Sequence, residues 1–325
     1  AASLRDALAA QDAVNAATMA ATLGEPATAE LAAATAAVAG LPPASPLALR
    51  LVHARGLVAF SRGELATARD RFAEVATAAR GRDVRLEAVA ADNLAKALTM
   101  NGEAAAALAP ARRVYELRRE IGDHVGAAIA LGTWARITAG SGRAADADPL
   151  FEQALNALTD APPHRAADVA ELTIAHAINR EALGASIAPV TDATLAALRA
   201  AANAYYLGVA LMYAADQRWT AGDRAGAWAA ADEAHAALAR AGDSPDELAE
   251  LAGWRRRHPR PRARTAPAFR RRTAPSPRTR RRRGCQRRRP TPRCGATAAP
   301  SPWPRGPAAP GQPSCRARRR ADRSA

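Results

Sequence analysis

The chain has 325 residues, and its charge divides it into an acidic body and a basic C-terminal segment. Residues 1–254 hold 22 Lys and Arg against 30 Asp and Glu, a net charge of −8, whereas residues 255–325 hold 24 Arg against one acid, a net charge of +23. The body alone is mildly acidic and therefore need not bind nucleic acid. No uncharged apolar run in the chain is long enough to span a bilayer.

Alanine is abundant, which favours helices, and helical patterns follow one another in pairs along the body. The predicted pairs are Leu4–Thr22 with Pro26–Val38, Ala48–Ser61 with Glu64–Arg80, Val84–Met100 with Glu103–Ile121, Val125–Ala139 with Arg143–Leu158, Arg165–Leu183 with Pro189–Ala201, and Asn203–Thr220 with Arg224–Ala239. Pro110 and Pro149 fall inside predicted helices and predict kinks. A last helix begins at Ser244-Pro-Asp-Glu, with serine as the N-cap, and ends near Trp254, where it caps the array.

Six glycines recur at one period and mark the turn inside each helix pair. They are Gly24, Gly63, Gly102, Gly142, Gly184 and Gly222, spaced by 39, 39, 40, 42 and 38 residues. Seven residues before each glycine stands a small residue, in order Ala17, Gly56, Ala95, Ala135, Ala177 and Ala215. Because helices can cross closely only where side chains are small, this period predicts a solenoid of stacked helix pairs.

The pattern resembles the tetratricopeptide repeat. Trp134-Ala135, Gly142, Ala147, Phe151 and Ala154-Leu155 match that family's motif residue by residue. The first and fifth units match poorly, and Pro189 stands where the fifth should have a packing alanine. The resemblance implies an all-α fold: a right-handed α-solenoid of antiparallel helix pairs over residues 1–254, with about six repeats, a capping helix and no strands.

In this family the first helix of each pair lines a concave groove that grips a protein or peptide partner. Carrying over the inward-facing positions gives the candidate groove residues Arg50, His53, Asp92, Lys96, Arg136, Asp216 and Trp219. The alternative is that these are ordinary solvated residues on an intramolecular spacer.

The segment ELRREIGDHVGAAIALGTWARITAGSGR is also similar to the helical arrays of LuxR-type and antibiotic-regulator-type bacterial transcription regulators. The resemblance implies a cytoplasmic sensory scaffold that binds a partner or ligand. The ATPase and the DNA-reading helix pair of such regulators are not readable here. The chain starts mid-pattern, without a signal-peptide pattern, and we expect it to be a piece of a longer protein.

Residues 255–325 are dominated by arginine and proline, lack apolar periodicity and are expected to be disordered. Two origins stay open: a translation product of a shifted reading frame in GC-rich DNA, or a genuine arginine-rich arm that neutralises nucleic-acid phosphates. The second origin supplies the alternative function, a nucleic-acid-binding protein acting through its tail. A structured basic domain is the least favoured interpretation.

Catalytic and metal motifs are weak. All three cysteines, Cys285, Cys294 and Cys315, lie in the basic segment at a spacing that fits no zinc motif. No phosphate-binding loop and no nucleophile-elbow motif occurs. We therefore expect no enzyme activity, no cofactor and no metal, and rank protein binding first, nucleic-acid binding second and catalysis last.

Overall fold

The computed structural model describes residues 4–260, except 24–26 and 243, and the predicted tail beyond residue 260 lies outside the described residues. Within the described part there are thirteen α-helices, one 3₁₀ turn at Pro163–Arg165, and no strand. The helices are α1 Leu4–Leu23, α2 Thr28–Val38, α3 Pro46–Ser61, α4 Leu65–Ala79, α5 Val84–Met100, α6 Ala104–Glu120, α7 His124–Gly140, α8 Ala144–Ala157, α9 Ala166–Ala182, α10 Asp192–Ala200, α11 Ala204–Thr220, α12 Arg224–Ala241 and α13 Pro245–Arg257. The prediction of an all-α solenoid of helix pairs is confirmed.

The periodic glycines end the first helix of each pair, as predicted. Gly63, Gly102, Gly142, Gly184 and Gly222 have φ between 72° and 88°, a left-handed conformation that glycine adopts without steric cost. At Gly63 the backbone N–H of Glu64 returns to the carbonyl oxygen of Ala59 at 2.9 Å, which closes the end of α3. Gly24 lies outside the described residues.

A second series of left-handed turns joins one helix pair to the next. The sequence pattern did not predict these turns. Gly81, Gly122 and Gly242 have φ of 67°, 73° and 90°. At the corresponding turn between α10 and α11, Ala202 has φ of 53° and is the only non-glycine residue with positive φ in the described part of the chain. This turn is therefore strained by its side chain.

Small residues allow the close helix crossings. Gly56 faces the ring of Phe72, and a Cβ on this glycine would lie 2.7 Å from Cε1 of that ring. A Cβ on Gly132 would lie 2.6 Å from Leu172, and one on Gly208 would lie 2.6 Å from Leu238. All six of the predicted small residues ahead of the turn glycines are buried, which explains why the sequence keeps them small.

The first and fifth units depart from the repeat, in agreement with their poor match. Ala29 and Ala33 stand five and nine residues after Gly24, as Ala147 and Phe151 stand after Gly142, and the repeat predicts them to be buried. They are exposed, and Ala27 and Ala34 are buried instead, so the register of α2 is shifted.

In the fifth unit the prediction that a helix starts at Pro189 is wrong. Thr191 caps α10 by accepting a hydrogen bond from the Thr194 N–H at 3.1 Å. Gln217 holds residues 188–190, which precede α10. Its Oε1 accepts a hydrogen bond from the Val190 N–H at 2.9 Å, and its Nε2 donates to the Ala188 carbonyl at 3.4 Å.

The two predicted kink positions lie inside continuous helices: α6 runs through Pro110 and α8 runs through Pro149. The predicted start of α13 is confirmed, with Pro245 as its first residue. Ser244 precedes it as predicted, but its side chain caps no backbone N–H. Its hydroxyl is instead buried without a partner.

The core is a series of clusters between successive helices rather than one centre. The largest contains α9–α13 and includes Leu211, Leu238 and Trp254. Another surrounds Phe151, which is 1% exposed between α7, α8 and α9. The packing is therefore continuous from pair to pair, which is the arrangement expected of a solenoid.

The odd-numbered helices approach one another more closely than the even-numbered helices do. The closest approaches between helices two apart in sequence all join odd-numbered helices: α1 with α3, α3 with α5, α7 with α9, and α9 with α11. Helices on the inside of a curved array approach one another more closely than those on the outside, so the first helices of the pairs line the inner surface.

Candidate functional site

A strip of polar side chains crosses the inner surface from α5 to α11. We define the inner strip by its members, Asp92, Lys96, Thr133, Arg136, Glu171, Asn203 and Tyr206. Each comes from an odd-numbered helix or the residue that caps one. The strip therefore joins four consecutive helix pairs.

Arg136 on α7 is the centre of the inner strip. Its Nη1 donates to the Tyr206 hydroxyl on α11 at 3.3 Å, and its Nη2 donates to Thr133 Oγ1 at 3.3 Å. These two side chains therefore meet across α9, as expected of a concave inner surface. The Tyr206 oxygen, followed by Glu171 and Asp92, raises the pKa of Arg136, so these groups all act on one guanidinium.

The ends of the inner strip are also paired. On α5, Lys96 Nζ lies 2.6 Å from Asp92 Oδ2, an ion pair one helical turn apart. Between α9 and α11, Asn203 Nδ2 donates to Glu171 Oε1 at 2.7 Å, while Asn203 Oδ1 accepts from the Tyr206 N–H and caps α11. Alternating cations and anions with amide and hydroxyl groups offer both donors and acceptors to an extended chain.

A shallow opening lies beside Arg136 and Glu171. Its cavity volume is only about 40 Å³, and it is open to solvent on one side. Its apolar wall comes from Ile129, Leu158 and Leu172, and its charged residues are Arg136, Asp168 and Glu171. An apolar wall with one cation and two carboxylates beside it suits a single side chain of a bound partner.

Three of the predicted groove residues belong to the inner strip: Asp92 and Lys96 pair on α5, and the charge of Asp92 acts on Arg136. Arg50 on α3 and Asp216 on α11 are exposed, and their participation stays a prediction.

His53 is 6% exposed, and its Nε2 accepts a hydrogen bond from Asn93 Nδ2 at 2.9 Å. Its ring also lies 5.4 Å from that of Phe72. The structure therefore places His53 inside the packing of α3, α4 and α5, where a groove ligand does not reach it.

Trp219 is covered by the C-terminal helix. Its ring centroid lies 5.8 Å from that of Trp254 and 4.6 Å from that of His258, and the Arg224 guanidinium lies 3.8 Å from its centroid. Arg255 also donates to the Ala231 carbonyl at 2.9 Å. The change of composition after Trp254 therefore falls inside α13, which packs on the body.

Thr133, Glu171, Asn203 and Tyr206 were missed by the sequence reading. Glu171 stands thirteen residues before Gly184, as Arg50 stands thirteen before Gly63, so its spacing from the turn glycine could have identified it as inward-facing. It was not identified because the fifth unit matches the repeat poorly. Asn203 and Tyr206 lie in the first turn of α11 and the residue before it, upstream of the positions that the phase selects.

Across residues 4–260, apart from 24–26 and 243, we find no helix whose length and apolar character would let it cross a bilayer.

No protein-family model matches the chain, and no curated protein matches its sequence. Among solved structures, BtubC (BKLC) from P. vanneervenii aligns over 75% of this chain and 95% of that chain, with 16% sequence identity and a TM-score of 0.43. The helical-repeat fold is assigned from the helix pairs of this chain itself and does not depend on that likeness.

Proposed function

We propose that this chain is a protein-interaction array that binds an extended segment of a partner protein along its inner surface. The observation that carries the proposal is the inner strip, in which Arg136 reaches from α7 to Tyr206 on α11 across a concave surface. Solenoids of helix pairs bind partners on such surfaces, and no step of catalysis is assigned to the chain.

The mixed charges of the inner strip define the partner's chemistry. Asp92 and Glu171 favour a basic side chain, whereas Lys96 and Arg136 favour an acidic one or a backbone carbonyl. The partner is therefore a segment with both signs of charge and an apolar residue for the opening beside Leu172. A purely acidic polymer, such as a nucleic acid, would meet the two carboxylates unpaired.

We further propose that the array is the sensory part of a bacterial transcription regulator and acts in the cytoplasm. This step is supported by the resemblance of residues 116–143 to the arrays of LuxR-type and antibiotic-regulator-type proteins. In such a regulator, partner binding on the inner surface would change how the array restrains its neighbouring domains.

Peptide selection with mapped cross-linking tests the proposal. A library of random peptides displayed on phage is selected on the full chain, and each recovered peptide is bound to protein carrying a photoreactive phenylalanine in place of Lys96 of the inner strip. The matched control carries it in place of Arg71, an exposed arginine on even-numbered α4. We expect cross-links from position 96 and none from position 71. Recovery of peptides that cross-link only from position 71 would refute binding on the inner surface.

The second candidate function, nucleic-acid binding, is favoured by one observation only, the net charge of +23 on residues 255–325. That segment has 24 arginines and only two aromatic residues, Phe269 and Trp303. It is suited to phosphates and has little to read bases with. It would bind nucleic acid without regard to sequence.

A further inference from the structure

A second polar cluster joins α8 to α9, away from the inner strip. Asp148 and Glu152 lie one turn apart on α8, and His176 and Arg180 lie one turn apart on α9. One ligand atom from each of Asp148, Glu152 and His176 lies within 4.8 Å of the other two. Ligand atoms around a tetrahedral zinc ion lie about 3.5 Å apart, so a small rotation of the exposed Glu152 side chain would close the set.

Two of these three side chains are already held in place. His176 Nε2 lies 3.0 Å from Asp148 Oδ1, and the imidazole is stacked on Phe151 with 5.4 Å between ring centroids. Asn179, which is 3% exposed, donates from Nδ2 to Asp148 Oδ1 at 3.2 Å and to the Ala144 carbonyl at 3.1 Å. The bonds from Asn179 orient the Asp148 carboxylate in the way that outer contacts orient metal ligands. The His176–Asp148 contact joins two proposed ligand atoms, and a bound ion would take its place.

Arg180 is the competing cation. Its Nη1 lies 3.2 Å from Asp148 Oδ2 and 3.5 Å from Glu152 Oε1, and its Nε donates to the Ser186 carbonyl at 3.2 Å. Its side chain is 28% exposed, so it has solvent to move into. The guanidinium thus neutralises the same two carboxylates that a metal ion would use.

We propose that Asp148, Glu152 and His176 form a binding site for a divalent cation of the zinc class, with Arg180 as the counter-ion of the metal-free protein. One imidazole nitrogen and two carboxylate oxygens suit a borderline ion such as Zn²⁺ better than Mg²⁺. Three protein ligands leave a fourth position for water. Because the ligands come from two helices, the bound ion clamps the fourth helix pair to the fifth.

Calorimetric titration with Zn²⁺ tests the site. The full chain is stripped with chelator, and Cys285, Cys294 and Cys315 are alkylated so that their thiols do not bind the ion. We expect one equivalent of Zn²⁺ to bind and to raise the Tm, with Mg²⁺ giving neither effect. His176→Ala weakens binding by at least about tenfold, while the control His235→Ala, at an exposed histidine on α12, leaves it unchanged.

The Arg180→Met variant separates a metal site from an ion-pair network. If the proposal holds, this variant binds Zn²⁺ more tightly than the wild type, because the competing cation is gone. Glu152→Gln, at a side chain 56% exposed, tests a ligand without disturbing the core and weakens binding. Failure of both the wild type and Arg180→Met to bind one equivalent, or equal affinity in His176→Ala, would overturn the proposal.

Discussion

His53 and Asn93 form a buried hydrogen bond between α3 and α5, with Asn93 Nδ2 donating to His53 Nε2 at 2.9 Å. This arrangement needs the neutral imidazole with its proton on Nδ1, because a protonated Nε2 would face the amide hydrogens. Burial lowers the pKa of His53 from 6.5 to about 4. The packing of two neighbouring repeats therefore depends on pH, because this bond requires neutral His53.

Stability should fall on acidification, and His53 should cause part of that loss. The unfolded chain takes up a proton at His53 near pH 6.5, whereas the folded chain does so only near pH 4. The contribution of neutral His53 to the free energy of unfolding is fully present above pH 6.5. It is lost as the pH falls to 4, an effect of about 3 kcal/mol. Urea unfolding of His53→Gln across this window should show a shallower pH dependence. Val89→Ala, an exposed change without a titrating group, should keep the wild-type dependence, and an unchanged slope in His53→Gln would contradict this assignment.

Phe151→Ala should lower the free energy of unfolding by about 3 kcal/mol, because removing a fully buried ring leaves a cavity between two helix pairs. Thermal or urea melts of the full chain measure the loss. Met19→Ala, at a side chain 61% exposed, is the matched control and should change stability by less than about 0.5 kcal/mol. Equal losses in the two variants would remove Phe151 from the core.

Ala202→Gly should stabilise the protein by about 0.5–1 kcal/mol, since φ is 53° at this turn and glycine has no Cβ to strain it. The neighbouring Ala201 has φ of −74°. Ala201→Gly should therefore have the opposite sign and destabilise by a similar amount. The difference in urea midpoint between the two variants is the measurement, and a loss of stability in Ala202→Gly would show that the turn is not strained by alanine.

The basic segment should bind duplex DNA weakly and without sequence preference. A fragment of residues 1–260, cut after α13 because that helix packs on the body, has a net charge of −4 and should bind no DNA. Gel shifts of the full chain with several unrelated duplexes should weaken steeply with salt as counter-ions are released. Tight binding to one duplex that survives about 200 mM salt would make the segment a true recognition element.

The sequence was sufficient for most of the fold because turn residues and small residues carry strong local signals. Gly63 and its equivalents predicted the helix ends, and Ala135 and its equivalents predicted the crossings. The prediction at Pro189 was wrong because proline at a helix start is only a local preference. The segment there lies outside a helix and is bonded by Gln217, 27 residues further along the chain.

The site was harder to predict because the repeat phase indicates which side of the array a residue faces but not whether its side chain is buried. His53 has the inward phase, yet Gly56 lets α3 approach Phe72 closely, and the imidazole is buried between the helices. Trp219 has the inward phase too, and α13 covers it. Asp92 and Lys96 lie in a unit that matches the repeat in part and Arg136 in one that matches it fully, and their part in binding stays a prediction. Glu171 lies in the fifth unit, which matches poorly.

The affinity of one selected peptide for two arginine variants tests the inner-surface account most directly. Arg136→Ala removes the central cation of the inner strip, and Arg71→Ala removes an exposed arginine of the same type from α4, where it pairs with Glu74 at 3.1 Å. Calorimetry should show the Kd raised by at least about tenfold in Arg136→Ala, because a contact to a charged group is lost. The Kd of Arg71→Ala should stay unchanged with an equal Tm. An unchanged Kd in Arg136→Ala together with a raised Kd in Arg71→Ala would place binding on the outer helices and contradict the account.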